Sequence, residues 1–357
     1  MTLSNQSGIV DATIGSPLSE LAVEANTFPM AMIGMLLFAI LIASSMLWWK
    51  FIIAYIKGIA SFPTFQPRQI QRWGVIDLAM AVASVFVLSA LAFGLISRIG
   101  VPRVDLMSGT AASVVKVAIA TFQLSSVAVM TILIAIRYRM TISNIGWSTE
   151  RLVQDIRLGL VTFVMILPPI YILMALSTLM FKQPYNHPVV DAIKNDPSTL
   201  PMAIWLAVVI APILEEFGFR VLLQGFLESI ARGPLSLKMV IFGRRETTLY
   251  PHDSDLQGAS PEQATDIKIF HNNSEMIVDS KQLPWWPVIV SGVLFGLAHF
   301  DYGASWLPLA VLGIVLGYLY RITNRIWPGL VVHACLNGMT MLNLTIITLY
   351  GDPSKIQ

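Results

Sequence analysis

Charged residues and cysteine are both scarce in this chain. Of its 357 residues only 12% are charged, whereas 55% are hydrophobic, and this balance is too apolar for a soluble domain with a solvated surface. A single cysteine, Cys335, excludes disulfides within the chain and zinc sites built from several cysteines. The sequence also has no dense basic cluster, which argues against nucleic acid as a partner. The composition therefore predicts an integral membrane protein.

Basic residues are missing from the first 27 residues, which contain Asp11, Glu20 and Glu24. A cleavable signal peptide begins with a basic region. We therefore expect the first apolar run to remain in the protein as a membrane span.

Long apolar runs are what the chain has in abundance. About 20 apolar residues cross the ~30 Å hydrocarbon layer as a helix, and eight runs approach or exceed that length, although the sixth and seventh are short. The prediction is an all-α, polytopic bundle of about eight transmembrane helices in contact with the lipid bilayer, and we expect it in the cell membrane. The runs are 29–49, 74–97, 113–136, 158–180, 199–229, 285–300, 305–320 and 326–350.

Lys and Arg are distributed unevenly between the connecting loops. The loops 50–73, 137–157, 230–284 and 321–325 hold 16 of the 23 basic residues. Positively charged loops are retained in the cytoplasm. We therefore expect both termini outside and the long loop 230–284 in the cytoplasm.

Three polar or helix-breaking features of the first four spans indicate structural roles. Asp77 and Lys116 lie near span ends, where a charged side chain can reach the interface. Pro168 and Pro169 remove two backbone donors from the fourth span, so we expect a kink there, or neighbouring groups that satisfy the freed carbonyls.

Most ionisable side chains inside spans follow residue 199. The chain is accordingly divided into an N-terminal four-helix membrane region, 1–198, a core, 199–345, and a C-terminal tail, 346–357. A polar cytoplasmic insertion, 231–284, interrupts the core. Its apolar runs predict a small β-hairpin, and both a lid over the membrane core and a disordered connector are consistent with this composition. The runs are 239–242, 267–270 and 276–278, the last two around a turn at 271–274.

Two carboxylates and a guanidinium interrupt the fifth span. Glu216 and Arg220 are four residues apart and can pair on one helix face, and Gln224 and Glu228 extend the same stripe. Glu215 points about 100° away from that stripe. An uncompensated carboxylate in an apolar site suits a general base or acid, and a structural polar network between helices is the alternative.

The sixth span ends with Phe295 and His299 on one helix face. Gly292 and Gly296 form a small-residue pair that permits close approach of a neighbouring helix. His299 would then be held against that neighbour. A structural hydrogen bond is the alternative to a catalytic role for this histidine.

The eighth span places His333 and Asn337 four residues apart, so that both present polar atoms in one direction. Such a pair can donate hydrogen bonds to an oxyanion, ligate a metal, or bond to a neighbouring helix. Together the three spans offer a base, two imidazoles and a carboxamide. Water activated by Glu215 and His299, attacking a carbonyl held by His333 and Asn337, would hydrolyse a peptide bond.

In chain order these residues read Glu-Glu-xxx-Arg, Phe-xxx-His and His-xxx-Asn. The pattern resembles the CPBP family of CAAX proteases and bacteriocin-processing enzymes, also called type II CAAX prenyl endopeptidases, over roughly 199–345. The resemblance implies an intramembrane endopeptidase in which Glu215 and His299 activate the water. It further implies that His333 and Asn337 stabilise the oxyanion, with Glu216, Arg220 and Phe295 supporting the site.

The resemblance implies a membrane-associated peptide or protein substrate, such as a prenylated CAAX tail or a bacteriocin leader. It leaves the cofactor open, as none or a divalent metal such as zinc. Glu215, His299 and His333 are the candidate ligands, since two imidazoles and a carboxylate can bind zinc and keep one position open.

Two other functions use similar residues. A secondary transporter also buries Glu, Arg and His along an ion pathway, although no inverted repeat is visible in the sequence. A catalytically silent scaffold or immunity protein of the same fold would bind a membrane partner instead. A zinc protease helix with the His-Glu-xx-His motif is absent from the sequence.

Overall fold

The chain is helical apart from one two-stranded ribbon in the part that the computed structural model describes, which is 17–59, 67–69, 71–98, 109–182, 188–231, 236–243, 277–279 and 283–350. The elements in chain order are α1 (Pro17–Ile56), β1 (Pro67–Gln69), α2 (Val75–Arg98), α3 (Gly109–Tyr138), α4 (Leu152–Phe181), α5 (Pro188–Asn195), α6 (Leu200–Trp205), α7 (Ala211–Glu216), α8 (Gly225–Ile230), α9 (Leu237–Phe242), β2 (Ile277–Asp279), α10 (Trp286–Leu297), α11 (Trp306–Thr323) and α12 (Trp327–Tyr350).

The helical, multi-pass architecture is confirmed. Seven helical stretches of the described chain are long and apolar enough to cross a membrane, and α10 is a shorter apolar helix. The 12 residues of α10 rise about 18 Å, less than the ~30 Å hydrocarbon layer. The long stretches are Ala31–Ile56, Val75–Arg98, Val115–Tyr138, Leu152–Phe181, Pro197–Ile230, Phe300–Thr323 and Trp327–Leu349.

Helices α10 and α11 form a tight antiparallel hairpin around glycine. A Cβ atom added to Gly292 would lie 2.5 Å from the Ile314 nitrogen, and one added to Gly296 would overlap the Trp306 carbonyl. Gly313 of α11 packs directly against Gly292, and Gly317 faces a side chain of the fifth span. The small-residue pairs of both helices thus pack within one chain.

The proline pair of the fourth span lies inside a continuous helix, α4. Pro169 cannot donate to the Met165 carbonyl four residues earlier. Instead, Ser44 Oγ and Trp48 Nε1 of α1 donate to that carbonyl, at 3.1 Å and 3.0 Å. Neighbouring side chains satisfy the freed backbone group, as the proline pair predicts.

Asp77 has the structural role expected of it, but its side chain is buried and does not reach the interface. Its carboxylate accepts a hydrogen bond from Tyr138 Oη at 2.6 Å and one from the Gly74 nitrogen at 2.8 Å, and it lies 3.4 Å from Arg137 Nε. These partners replace the water that the carboxylate would otherwise require. Lys116 is exposed.

Of the short strands predicted within the insertion, the one at 239–242 is wrong. Residues 239–242 belong to helix α9, whose first turn is capped by the Ser236 side chain accepting from the Met239 nitrogen. The strand predicted at 276–278 is present as β2 but pairs antiparallel with β1, which lies between α1 and α2. The predicted strand 267–270, its turn 271–274 and residue 276 lie outside the described residues.

Candidate active site

The fifth span is a broken helix, residues 200–230, in which α6, α7 and α8 alternate with two π-helical segments, Leu206–Ile210 and Phe217–Gln224. π-helical turns are rare and are frequent at functional sites. Each change between α and π hydrogen bonding alters which backbone donors reach which carbonyls. The glutamates of the first motif lie on α7, between the two π segments.

At the first π segment, Pro212 leaves the Ala207 carbonyl without a backbone donor. In the segment Leu206–Ile210 the Ala211 nitrogen donates to the Leu206 carbonyl, five residues back. The same register would pair Ala207 with Pro212, which has no N–H. Asn337 Nδ2 donates to the Ala207 carbonyl instead, at 2.7 Å.

Two more carbonyls of the broken helix accept side-chain hydrogen bonds. Ser291 Oγ of α10 donates to the Phe219 carbonyl at 2.9 Å, and Trp73 Nε1, just before α2, donates to the Leu222 carbonyl at 2.8 Å. Together with Asn337 of α12, three separate segments hold the broken helix. Its position and rotation therefore depend on side chains from the helices that carry the other two motifs.

The predicted ion pair between Glu216 and Arg220 is present and fully buried. Arg220 Nε lies 3.3 Å from Glu216 Oε2. Gln224 and Glu228 are buried on the same stripe, and Gln224 Nε2 donates to Glu228 Oε1 and to the Gly317 carbonyl, both at 3.0 Å. The stripe holds the broken helix against α11 by polar contacts.

Glu215 faces away from this stripe, toward both histidines. Its Oε2 atom lies 3.8 Å from His299 Nε2 and 3.7 Å from His333 Nε2. The Glu215 side chain is 27% exposed, whereas Glu216 is fully buried. Within the described part of the chain Glu215 Oε2 accepts no hydrogen bond, so one carboxylate oxygen faces two imidazole nitrogens across a gap.

His299 lies just beyond α10, because that helix ends at Leu297, not at residue 300 as the apolar run predicts. Residues 300–305 form a 3₁₀ segment, and Gly303, with φ of 78°, allows the chain to reverse into α11. His299 Nδ1 donates to the Phe295 carbonyl at 2.8 Å. In the neutral ring Nε2 is then the unprotonated nitrogen that faces Glu215.

His333 is buried on α12 and is anchored by the second glutamate. Its Nδ1 lies 3.2 Å from Glu216 Oε1, so this ring nitrogen donates to the carboxylate. Glu216 thus accepts from Arg220 on one oxygen and from His333 on the other. This arrangement fixes the imidazole plane and turns Nε2 toward Glu215.

Phe295 is the apolar centre of the site and is fully buried. Its ring centroid lies 5.0 Å from that of His299, 5.6 Å from that of His333 and 5.2 Å from that of Phe219. The Arg220 guanidinium carbon lies 5.1 Å from the same centroid. One aromatic ring therefore packs against residues of all three motifs.

The described residues contain no group of three or more His, Cys, Asp or Glu side chains placed to hold a metal ion. Zinc ligands lie about 2.0–2.2 Å from the metal. Glu215, His299 and His333 converge, but with His333 Nδ1 committed to Glu216 and His299 Nδ1 to a backbone carbonyl, only Nε2 of each ring faces the gap.

Three contributors to this region are not singled out by the motifs. Ser291 lies four residues before Phe295 and eight before His299, so the stripe Ser-xxx-Phe-xxx-His was a signal for it. Trp73 precedes a span, and no spacing in the sequence relates it to the motifs. The buried pair of Asp155 and Arg325, with contacts of 2.5 Å and 2.7 Å, ties α4 to the turn before α12, which lies 170 residues later in the chain.

The comparison with family models matches residues 270–339 to the family described as type II CAAX prenyl endopeptidase Rce1-like. The match includes the second and third motifs but not Glu215 or Glu216, which the fold brings to the same site. No curated protein and no solved structure matches the chain. The family matched by this region is one of membrane endopeptidases, which act on a peptide or protein substrate. The chain is therefore a multi-pass membrane protein that carries an Rce1-like type II CAAX prenyl endopeptidase domain, as its motifs predict.

Proposed function

We propose that this protein is an intramembrane endopeptidase that hydrolyses a peptide bond of a membrane-associated substrate with water activated by Glu215 and His299. The observation that carries the proposal is the placement of His299 Nε2 and His333 Nε2 near the same atom, Glu215 Oε2, at 3.8 Å and 3.7 Å. Each group comes from a different motif and a different part of the chain. Their convergence supports a shared chemical role.

The proton positions support water activation. His299 donates through Nδ1 to a backbone carbonyl, so its Nε2 atom is an acceptor, and a Glu215 carboxylate is an acceptor as well. A water that donates one proton to each of them presents its lone pair to a substrate carbonyl. Glu215 takes the proton as the oxygen attacks, and the proton then passes to the amine when the C–N bond breaks.

The oxyanion formed by this attack would be stabilised by His333 and Asn337. Glu216 holds His333 Nδ1 as a donor, so a protonated His333 presents its Nε2–H to the site. Asn337 uses one amide N–H for the Ala207 carbonyl, and a carboxamide has a second N–H to offer. Donors fixed before the reaction stabilise developing charge without reorganisation.

The position of the site supports a membrane-associated substrate. Glu215 and His299 are partly exposed, at 27% and 18% of their side chains, in a span and beside a short apolar helix. This position supports a substrate that approaches from within or along the bilayer, as a prenylated CAAX tail or a membrane-anchored leader peptide does. We place the enzyme in the cell membrane with its polar insertion in the cytoplasm, consistent with its basic loops.

Cleavage of a defined peptide panel by the purified protein tests the proposal. The panel contains a farnesylated CAAX peptide, the same peptide without the lipid, and a membrane-anchored leader peptide, each with a quenched fluorophore and each assayed with and without a chelator. Wild type is compared with Glu215→Gln, His299→Ala and His333→Ala. Glu150→Gln is the matched control, because Glu150 is an exposed carboxylate outside the site.

We expect cleavage by wild type and Glu150→Gln, and at least a hundredfold loss of kcat in the three site variants. Loss of cleavage with chelator and its return with zinc would assign a metal to Glu215, His299 and His333. Cleavage that survives Glu215→Gln would exclude the proposed water activation. Folded wild type that cleaves none of the peptides would favour a transporter or a silent scaffold instead.

A further inference from the structure

We infer that Ser291 is a positioning residue of this site, which acts on the catalytic histidine His333 through Arg220 and Glu216. The inference rests on the proposed peptidase function and adds a residue that lies outside the three motifs. Ser291 is fully buried on α10, one helical turn before Phe295. It faces the broken helix and does not touch the gap between Glu215 and the imidazoles.

The hydroxyl of Ser291 makes two contacts with consecutive residues of the broken helix. It donates to the Phe219 carbonyl at 2.9 Å and accepts from Arg220 Nη1 at 3.3 Å. A hydroxyl can do both at once because it has one proton and two lone pairs. Alanine at this position would remove both contacts, and a carbonyl and a guanidinium would each lose a partner.

The contact with Arg220 reaches His333 through a continuous chain. Arg220 Nε lies 3.3 Å from Glu216 Oε2, and His333 Nδ1 lies 3.2 Å from Glu216 Oε1. The guanidinium is also held over the Phe295 ring, at 5.1 Å. Its Nη2 atom has no hydrogen-bond partner among the described residues. Ser291 is therefore the neutral partner that fixes the rotation of the Arg220 plane.

The rotation of the guanidinium plane affects His333 because Glu216 accepts hydrogen bonds from both Arg220 and His333. With Nη1 held by Ser291, Arg220 presents only Nε to Glu216 Oε2, and Glu216 Oε1 remains available to His333. Without Ser291, Nη1 loses its acceptor, and the plane can rotate so that Nε and Nη2, which lie on the same side of the fork and of which Nη2 has no hydrogen-bond partner among the described residues, both face Glu216. The guanidinium would turn toward a two-point contact with the carboxylate, and His333 would lose its anchor.

Kinetics of Ser291→Ala and Ser291→Thr test this role, with Ser44→Ala as the matched control. Ser44 is also a buried serine that donates to a backbone carbonyl, on α1 and outside the site. We expect Ser291→Ala to lower kcat about tenfold or more with KM within about twofold of wild type. Ser291→Thr keeps the hydroxyl and should recover most of kcat, and Ser44→Ala should match wild type.

A double-mutant cycle with Arg220→Lys separates positioning from simple helix packing. Lysine keeps the charge beside Glu216 but cannot hold Glu216 and Ser291 in the same planar fork. If Ser291 acts through Arg220, adding Ser291→Ala to Arg220→Lys should lower kcat by less than about twofold. The same tenfold loss in both backgrounds would overturn the inference. If Arg220→Lys has too little activity to measure, the kcat difference between Ser291→Ala and Ser291→Thr decides alone.

The two proposals fail in different ways. Wild type without any peptide cleavage removes the peptidase function and this inference with it. Wild-type cleavage together with a Ser291→Ala variant that keeps full kcat removes only the role of Ser291. A Ser291→Ala variant that loses kcat and is not recovered by threonine assigns the effect to packing of α10, and also overturns the inference.

Discussion

Asn337 Nδ2 donates to the Ala207 carbonyl at 2.7 Å, in the place of the backbone donor that Pro212 cannot supply. The third motif thus holds the helix that carries the first motif. The asparagine that we propose as an oxyanion donor therefore also has a structural hydrogen bond. The two uses are compatible because one amide nitrogen carries two hydrogens.

Replacing Asn337 by Leu removes this donor at nearly constant volume. We expect a loss of stability of about 1–3 kcal/mol, because the Ala207 carbonyl is left without a partner, together with a large loss of kcat. Thermal unfolding of the detergent-solubilised protein and peptide cleavage measure the two effects. A role confined to the oxyanion would instead lower kcat and leave the melting temperature unchanged.

Replacement by Gln should have different effects on stability at the two adjacent glutamates, Glu215 and Glu216. Glu216 is fully buried between Arg220 and His333, so Glu216→Gln leaves a buried guanidinium uncompensated and should destabilise the fold by about 3–5 kcal/mol. Glu215 is partly exposed and its Oε2 atom accepts no hydrogen bond within the described chain, so Glu215→Gln should abolish cleavage and leave stability near wild type. Melting temperatures of the two variants, measured side by side, check this contrast. Equal destabilisation would contradict it.

The sequence predicts this contrast well because the spacing of residues along a helix is a local property. Four-residue spacing pairs Glu216 with Arg220 and separates Glu215 from them, and the structure has this arrangement. Apolar length likewise predicts the membrane helices, since burial in lipid depends on composition and not on tertiary contacts.

Features that depend on distant contacts were not predictable from local pattern. The apolar run 239–242 has strand composition, yet Ser236 caps it as a helix. Strand β2 finds its partner in β1, about 210 residues earlier in the chain. The π segments of the broken helix depend on side chains of other helices that take its carbonyls, and Pro212 alone gives only a hint of the first one.

Helices α10 and α11 pack so closely that one added methyl group at Gly296 should lower stability. Gly296→Ala would place Cβ against the Trp306 carbonyl and the Ala310 side chain. We expect a loss of about 1–3 kcal/mol from overpacking and a marked loss of kcat, because His299 lies directly after α10. Gly338→Ala on α12 is the matched control, since nothing lies within 4 Å of a Cβ atom there. Similar melting temperatures for the two variants would argue against this packing.

The segment before α2 connects the insertion to the broken helix. Trp73 is buried, donates to the Leu222 carbonyl at 2.8 Å and packs against Gly225. Trp73→Phe keeps most of the ring and removes the donor, so we expect a loss of about 1 kcal/mol and a several-fold decrease in kcat. Trp205→Phe is the control, because Trp205 is an exposed tryptophan that donates to Thr121 Oγ1 at 3.0 Å. Equal kcat values for both variants would show that the Leu222 contact does not affect the site.

The predicted orientation of the chain can be tested with introduced cysteines, since Cys335 is the only native one. In a Cys335→Ser background, Glu150→Cys lies in a basic loop and Asp301→Cys in the turn between α10 and α11, and both native side chains are exposed. Because basic loops stay in the cytoplasm, a membrane-impermeant maleimide should label Asp301→Cys in intact cells and Glu150→Cys only after permeabilisation. The background without an introduced cysteine controls for nonspecific labelling. Labelling of Glu150→Cys in intact cells would reverse the orientation, and would place the insertion and its connection to Trp73 on the outer face of the membrane.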